Sequence, residues 1–317
     1  MPQIVVPDDA PPVLGPSQAW QSFGGRESIA YFDSLPGTEQ RLLERIDGAE
    51  VVINIRSSTR FTAGVFERMP RLRLLSLWGT GTDNVDLAAA ARHGVTVTNT
   101  PGVAATSIAE HALALMLAVA RRIPQLDAQT RAGAWPRGQM TQLHGKTLGI
   151  IGLGAIGRKF ARLGAAIGMR VIAWTMHPDP ALGFTLVDLD ELLRSSDVVS
   201  LHLRLSDQTR GFIGARELGL LKPAAILINT ARGPIVDEAA LLHALRSKRL
   251  GGAGLDVFGT EPLPAGHALS EMANVVFTPH SAGVTAEALE AGLQMALDNV
   301  RDFLAGRPTN VVISATK

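Results

Sequence analysis

The sequence predicts an α/β fold made of two Rossmann-like or flavodoxin-like domains, each with a parallel sheet, and a cleft between them. Short β-branched and apolar runs alternate with longer helical patterns along most of the chain. The length of 317 residues corresponds to about two domains of roughly 150 residues each. A glycine-rich turn at residues 152–157 follows an apolar run and precedes a helical pattern, as in dinucleotide-binding folds.

The first α/β unit is predicted from five apolar runs and two helical patterns. Its strands are expected at residues 4–6, 28–32, 51–55, 72–77 and 95–98, with helices at 38–46 and 86–93. The second unit has expected strands at residues 146–151, 170–174, 198–201, 225–229, 254–257 and 274–278.

Two longer helical patterns decide the predicted domain organisation. Residues 106–131 form one helical pattern whose middle turns are apolar all round, which fits either a helix enclosed between domains or a subunit interface. An amphipathic helix at 285–304 is expected to pack back on the first unit. The sequence therefore predicts a discontinuous substrate domain, residues 1–99 with 284–317, and a dinucleotide-binding domain at 100–283.

Composition excludes several classes of function. The net charge is 30 − 29 = +1, so no strong field attracts nucleic acid or an anionic membrane. The absence of cysteine rules out disulfides, thiolate nucleophiles and cysteine-based metal sites. The start lacks the pattern of a signal peptide, and the apolar run at residues 112–120 is too short to cross a bilayer. A cytoplasmic protein is expected, and no histidine is interpreted as a metal ligand; His111 is interpreted as a satisfied buried histidine.

The glycine-rich turn predicts a bound dinucleotide. Gly152 permits a tight turn, Gly154 lets a pyrophosphate approach the backbone, and Gly157 lets helix and strand pack closely. The following helix N-terminus offers unpaired N–H groups to the phosphates. The second strand of the unit ends at Thr175 rather than at the acidic residue typical of NAD-specific folds. The cofactor is therefore predicted as NAD or NADP, with the choice left open.

Three polar residues follow predicted strands, where ligands bind in open α/β sheets. Arg232 can hold a carboxylate through two parallel hydrogen bonds. His280 can exchange a proton near neutral pH, and a carboxylate such as that of Glu261 raises the pKa of an adjacent imidazole. Beside a nicotinamide, this set suits the reduction of a 2-oxo acid.

These residues lie in segments that resemble the D-isomer-specific 2-hydroxyacid dehydrogenases. The resemblance extends from about Val51 to His280 and is carried by residues 78–86, 146–157, 220–237, 254–258 and 278–280. It implies that Arg232, Glu261 and His280 form the catalytic set. It also implies a small 2-hydroxy or 2-oxo acid as substrate, glyoxylate or hydroxypyruvate in type, and a homodimer joined through the dinucleotide domains.

The resemblance assigns further positions by motif. The substrate loops are expected to contain Ser57, Ser58, Gly79, Thr80 and Gly81. Asp256 resembles the residue that holds the nicotinamide carboxamide. The remaining cofactor-binding positions are expected at Thr106, Gly152, Leu153, Gly154, Ala155, Ile156, Gly157, Thr175, His202, Arg204, Thr209, Thr230, Ala231 and Gly283.

Two departures and two alternatives accompany this resemblance. Thr175 stands where NAD-dependent members usually carry Asp, and Arg204 replaces the proline of the family's His-x-Pro-Leu segment. Arg204 either stacks on the adenine or reaches a 2′-phosphate, or it points to solvent. A non-enzymatic, dinucleotide-sensing interaction protein and a dehydrogenase of a phosphite-type oxyanion are the alternative functions.

Overall fold

The computed structural model describes residues 3–314 and divides into two compact units. The first unit contains the described residues up to Ala104 and those from Val284 onward, and the second contains Ala105–Gly283. The sequence analysis places this division after residue 99. The structure differs by five residues, because it assigns residues 100–104 to the first unit. Residues 1, 2 and 315–317 of the predicted first domain lie outside the described residues. The substrate and dinucleotide roles of the two units remain predictions.

The bounds of the elements within residues 3–314 are as follows. The strands are β1 (Ile4–Val6), β2 (Ala30–Tyr31), β3 (Val51–Asn54), β4 (Leu74–Leu77), β5 (Thr96–Thr98), β6 (Thr147–Ile151), β7 (Arg170–Trp174), β8 (Thr185–Leu186), β9 (Val198–Leu201), β10 (Ile226–Asn229), β11 (Gly252–Leu255), β12 (Val275–Phe277) and β13 (Val311–Ile313). The helices are α1 (Gln18–Gln21), α2 (Glu39–Ile46), α3 (Ala63–Arg68), α4 (Leu87–Arg92), α5 (Ala105–Arg121), α6 (Ile123–Arg131), α7 (Ala155–Ala166), α8 (Leu189–Ser195), α9 (Ala215–Leu220), α10 (Glu238–Arg246) and α11 (Ala286–Leu304).

The sheet of the first unit has the strand order β13-β5-β4-β3-β1-β2. Strands β1 to β5 are parallel, in the flavodoxin-like order 2-1-3-4-5. The prediction missed β13, which pairs antiparallel with β5 and has only three partly buried or exposed residues. Helix α11 packs on β4 and α1, where the Ser76 hydroxyl donates to the Ala296 carbonyl at 3.0 Å.

The sheet of the second unit is parallel, with the order β12-β11-β10-β9-β6-β7-β8. Strand β6 lies in the middle, and the chain turns to one side through β7 and β8 before it returns to the other through β9. This is the Rossmann order 3-2-1-4-5-6 with one further strand. The crevice at the carboxyl ends of β6 and β9, where the order reverses, is the place where such sheets bind ligands. Two parallel α/β units are thus confirmed.

The predicted helix over 106–131 is two helices. Helix α5 ends at Arg121, and Arg122 has a left-handed backbone with φ of 53° before α6 begins. Pro124 explains the break, because a proline in a helix interior has no N–H to donate and collides with the carbonyl four residues earlier. Within the second unit, α5 packs on α7 and on β10, β11 and β12, which accounts for much of its apolar surface.

Strand β11 begins two residues earlier than predicted, at Gly252 instead of residue 254. Glycine has low β propensity, so the sequence pattern starts too late. The structure uses these glycines for close packing, because a Cβ on Gly252 would lie 2.8 Å from Val119 Cγ1 of α5. None of the helices within residues 3–314 combines the length and apolarity needed to cross a bilayer.

Candidate active site

Neighbouring strands bring Arg232, Glu261 and His280 to one edge of the second sheet. Arg232 follows β10, Glu261 lies in the loop after β11, and His280 follows β12. Gly233 lets the first two loops meet, because a Cβ at this position would lie 2.0 Å from the Phe258 carbonyl carbon. The structure therefore brings the three predicted catalytic residues together.

The side chains of Glu261 and His280 form a direct pair. His280 Nδ1 lies 2.7 Å from Glu261 Oε2, and both side chains are about one third exposed, at 36% and 35%. A carboxylate can only accept, so His280 Nδ1 carries the proton and donates it. The other ring nitrogen, Nε2, is the position at which this histidine can exchange a proton with a ligand.

Several contacts keep Glu261 ionised. Burial acts to raise the pKa of Glu261, but hydrogen bonds from the His280 ring and the Phe258 N–H, with the charges of His280 and Arg232, lower it overall. The Phe258 N–H donates to Glu261 Oε1 at 2.9 Å, so both carboxylate oxygens are held. The ionised carboxylate therefore holds the His280 ring through Nδ1.

The backbone of His280 is held in an uncommon conformation. Its φ is 50°, in the left-handed region that residues other than glycine rarely adopt. Its N–H donates to the Asp256 carbonyl at 2.8 Å. The next two N–H groups, of Ser281 and Ala282, donate to Asp256 Oδ1 and Oδ2, each at 2.9 Å. Asp256 thus fixes the turn that carries His280.

Asp256 is almost fully buried, with 1% of its surface exposed. Its carboxylate also accepts from the Thr278 hydroxyl at 2.5 Å, so three donors occupy its oxygens. A carboxylate has about four accepting positions, which leaves one for the predicted nicotinamide carboxamide. Gly283 follows directly on this turn. Their cofactor roles stay predictions.

The glycine turn after β6 has the geometry that a dinucleotide requires. Gly152 has φ of 101°, and a Cβ there would lie 2.7 Å from the His202 carbonyl oxygen. A Cβ on Gly157 would lie 2.0 Å from the Gly152 carbonyl oxygen, so this position keeps the helix against the turn. Around Gly154, by contrast, no atom of the described structure beyond its two chain neighbours lies within 4 Å of an added Cβ.

The residues present therefore fit a dinucleotide. No side chain caps the N-terminus of α7 at Gly154, so its first N–H groups, including those of Ala155 and Ile156, are not taken up by a capping side chain. A pyrophosphate would be held there by N–H groups and the helix dipole. The buried Thr230 hydroxyl, also a predicted cofactor position, has no hydrogen-bond partner in the described structure. Leu153 is buried under the turn.

The other predicted cofactor positions lie at strand ends or helix starts of the same unit. Thr175 directly follows β7, with no acidic side chain at that position. Ala231 donates its N–H to Asn229 Oδ1 at 3.0 Å in the turn after β10. Thr106 is exposed in the first turn of α5.

The loop after β9 contains His202, Arg204 and Thr209. Burial lowers the pKa of His202 to about 3, so this imidazole is neutral at physiological pH, and its Nε2 lies 3.0 Å from the Ser200 hydroxyl. Thr209 is buried and donates its hydroxyl proton to the Arg204 carbonyl at 2.7 Å. Arg204 is exposed, on a backbone fixed by that bond.

The predicted substrate residues lie in the first unit, after neighbouring strands. Ser57 and Ser58 are exposed in the loop after β3, and Gly79, Thr80 and Gly81 follow β4. The Gly79 N–H donates to Thr100 Oγ1 at 2.7 Å. Both loops therefore lie at the carboxyl edge of the first sheet, although contact with a substrate stays a prediction.

Sequence reasoning missed residues that position these loops. Asp8 is buried and accepts from the N–H groups of Ile55 and Arg56, at 2.9 and 3.1 Å, just before Ser57. Burial raises the pKa of Asp8 despite these hydrogen bonds. Asn229 donates to the Arg232 carbonyl at 2.9 Å. The available signal was a polar residue at the carboxyl end of an apolar strand.

His111 is not the buried histidine that the sequence suggested. Its side chain is 24% exposed and contacts Thr278 Oγ1 at 2.8 Å. Within residues 3–314 no group of three or more His, Asp or Glu side chains is arranged to hold a metal ion.

Comparisons with known proteins point to one family. The model of the D-isomer specific 2-hydroxyacid dehydrogenase NAD binding domain matches residues 113–282. The chain is 40% identical to the glycerate dehydrogenase of Methylorubrum extorquens, covering 87% of this chain and 89% of that protein. It is also 40% identical to the glyoxylate reductase of Aeropyrum pernix, covering 87% of each. A solved acyclic imino acid reductase in complex with NADPH and D-Arg matches with a TM-score of 0.89 and 30% identity, over 98% of this chain and 100% of that one.

Proposed function

The chain belongs to the D-isomer specific 2-hydroxyacid dehydrogenase family, and on that premise we propose that it interconverts a glyoxylate- or hydroxypyruvate-like 2-oxo acid and the matching 2-hydroxy acid. Membership makes it an NAD(P)-dependent oxidoreductase that acts on a CH–OH group. Family membership does not fix the substrate, and the glyoxylate- or hydroxypyruvate-like class is our proposal. Its support is the pair of relatives named glycerate dehydrogenase and glyoxylate reductase.

The observation that carries the catalytic assignment is the contact between Glu261 and His280. With Nδ1 bound to the carboxylate at 2.7 Å, the ring presents Nε2 to a substrate oxygen. In reduction His280 gives a proton to that oxygen, and in oxidation it takes the proton back. Glu261 keeps the ring oriented and stabilises its charged form.

Arg232 supplies the positive charge next to this pair. A guanidinium binds a carboxylate through parallel hydrogen bonds, so Arg232 orients the acid and polarises its carbonyl group. Its backbone is fixed by the Asn229 amide at 2.9 Å. The nicotinamide, when bound, supplies or accepts the hydride. The first-unit residues Ser57, Ser58, Gly79, Thr80 and Gly81 are proposed to bind the substrate carboxylate.

A substrate panel tests the proposal. Oxidation of NADH and of NADPH is followed by absorbance with glyoxylate, hydroxypyruvate, pyruvate, bulkier 2-oxo acids and an imino acid, and the reverse reaction includes phosphite. We expect the highest kcat/KM with glyoxylate or hydroxypyruvate. A clear preference for a bulky 2-oxo acid, an imino acid or phosphite would refute the proposed substrate class.

A variant of His280 tests the mechanism separately. His280→Ala is expected to lower kcat by about 10²- to 10⁴-fold, because it removes the general acid and base. The dissociation constant for NADH or NADPH, measured by fluorescence, is expected to stay within about twofold. His243→Ala, an exposed histidine on α10, is the matched control. Full turnover in His280→Ala would place the proton donor elsewhere.

We also propose a homodimer joined through the second unit. Large exposed apolar patches mark interaction surfaces. Six large apolar side chains of this unit are exposed, and four of them lie on α5 or between α5 and β6, namely Leu117, Ile123, Trp135 and Met140. Three of them lie near or beyond the carboxyl end of α5, the helix for which the sequence left a subunit interface open. The cytoplasmic location stays a prediction.

A further inference from the structure

Helix α5 and strand β11 are matched residue by residue. A Cβ on Gly254 would lie 2.9 Å from Leu115 Cβ, and one on Gly252 would lie 2.8 Å from Val119 Cγ1. Four residues along a helix rise about 6.0 Å. Two residues along a strand rise about 6.6 Å. The next pair in this series is therefore His111 opposite Asp256.

The structure contains that contact. His111 Nε2 lies 3.6 Å from Asp256 Oδ1 and 2.8 Å from Thr278 Oγ1, which in turn lies 2.5 Å from Asp256 Oδ1. The two glycines of β11 allow this contact between His111 and Asp256, because a larger residue at 252 or 254 would push α5 away from the sheet.

The chemistry of the three groups sets the direction of these hydrogen bonds. The hydroxyl of Thr278 has a single proton, and the carboxylate of Asp256 can only accept. Thr278 therefore donates to Asp256 and must accept from His111. His111 is thus held with a proton on Nε2. The chain runs from the imidazole through the hydroxyl to the carboxylate.

This chain ends at the turn that carries His280. The carboxylate of Asp256 binds the N–H groups of Ser281 and Ala282, and its backbone carbonyl binds the N–H of His280. These bonds hold the left-handed φ of 50° at His280, a conformation that is unfavourable unless its surroundings fix it. An Asp256 side chain free to rotate would loosen this turn.

We propose that His111 is a positioning residue for His280, acting through Thr278 and Asp256. The inference rests on the proposed function only in naming His280 as the proton donor. The imidazole orients the Thr278 hydroxyl, the hydroxyl and the two N–H groups orient the carboxylate, and the carboxylate keeps His280 Nδ1 in line with Glu261.

Nuclear magnetic resonance of protein labelled with ¹⁵N-histidine tests the chain without any assay of activity. We expect neutral His111 to carry its proton on Nε2, and the Nδ1 proton of His280 to be visible through its bond to Glu261. In Thr278→Val the His280 Nδ1 signal should broaden or disappear, whereas Thr278→Ser should keep it. A neutral His111 protonated on Nδ1, or an unchanged His280 signal in Thr278→Val, would overturn the proposal.

Kinetics test the consequence for the reaction. Thr278→Val and His111→Phe are expected to lower kcat by about 10- to 100-fold, the effect of a small misplacement of a reacting group. Thr278→Ser and His111→Gln, which keep a hydroxyl and an N–H donor, should recover most of this loss. The dissociation constant for the dinucleotide should change less than kcat does in every variant. A kcat within about twofold of wild type in Thr278→Val would overturn the proposal.

A control separates positioning from general damage to the fold. Thr98→Val makes the same change at a buried threonine whose hydroxyl has no hydrogen-bond partner in the described structure. It is expected to leave kcat unchanged. If wild type turns over no member of the panel, the proposed function fails while the resonance experiment still decides the hydrogen-bond chain.

Discussion

The pKa of Glu261 in the folded protein lies below that of a free glutamate, so Glu261 stays ionised to a lower pH. Burial raises its pKa, yet the bonds from His280 and Phe258 and the charges of His280 and Arg232 lower it below the ordinary value of 4.5. A carboxyl whose pKa is lower in the folded state stabilises that state above its ordinary pKa. This contribution is lost as the pH falls through the folded value.

The stability of Glu261→Gln should therefore depend on pH in a defined way. Glutamine keeps the shape and an accepting oxygen but carries no charge. The thermal midpoint of wild type should exceed that of Glu261→Gln above pH 4.5, and the gap should close as the pH falls below it. Calorimetry of both proteins across this range measures the gap. A difference that stays constant with pH would show that the charge of Glu261 contributes nothing.

Arg204 offers a test of cofactor choice. Thr175 gives the adenosine ribose no carboxylate, and Arg204 is an exposed cation in the loop after β9. If its guanidinium reaches a 2′-phosphate, Arg204→Ala should lower kcat/KM with NADPH by about tenfold, which corresponds to about 1.4 kcal/mol. The kcat/KM with NADH should stay almost unchanged. Arg210→Ala, an exposed arginine of the same loop, is the control. An unchanged NADPH-to-NADH ratio would leave Arg204 pointing to solvent.

At this scale, polar residues at strand ends could be found from the sequence, because each follows an apolar run. Arg232, Glu261 and His280 were found in this way. The partners of Asp256 could not be found from the sequence. Thr278, Ser281 and Ala282 lie more than twenty residues further along the chain, and the pairing of β11 with β12 brings them to Asp256. Asp8 also follows an apolar run, but its contacts with Ile55 and Arg56 join distant parts of the chain, so its partners could not be predicted.

Among the elements, the turn between β6 and α7 has one glycine that is needed for packing and another that is expected to serve dinucleotide binding. Gly157 packs against the Gly152 carbonyl, whereas Gly154 faces open space. Gly157→Ala should therefore destabilise the protein by about 1–3 kcal/mol through overpacking. Gly154→Ala should keep the thermal midpoint of wild type, because φ of −68° suits alanine, but should weaken dinucleotide binding.

Calorimetry and fluorescence titration with NADH and NADPH measure the two effects. Each variant is the control of the other, since both add one methyl group to the same turn. Unaltered dinucleotide affinity in Gly154→Ala would mean that the phosphates do not approach this glycine.

The sequence predicted most elements because their patterns are local. Residues 170–174 and 198–201 are strands with the predicted bounds. Three of the errors lie where another part of the molecule decides. Pro124 divides one apolar pattern into α5 and α6, the glycines of β11 make a strand because α5 covers them, and β13 forms only by pairing with β5.

For the whole molecule, the exposed apolar side chains of the second unit predict the state of association. Trp135 is 77% exposed, in a segment outside helices and strands. Trp135→Ser is expected to weaken the proposed homodimer, because aromatic side chains contribute much of the binding energy at interfaces. Light scattering over a range of concentrations measures the mass. Tyr31→Ser, at an exposed aromatic residue of the first unit, is the control. A wild type of monomer mass at all concentrations would refute the dimer.

Because two separate segments of the chain form the first unit, the two units fold at different times during translation. The second unit is contiguous, from Ala105 to Gly283, whereas α11 and β13 of the first unit are the last elements to be translated. Residues up to Ala104 therefore leave the exit tunnel first, but the first unit is completed only after α11 and β13 have been translated. The later-made Rossmann sheet can finish folding while the earlier-made one is still incomplete, so a stalled or prematurely terminated chain would expose the apolar face of β4 that α11 covers.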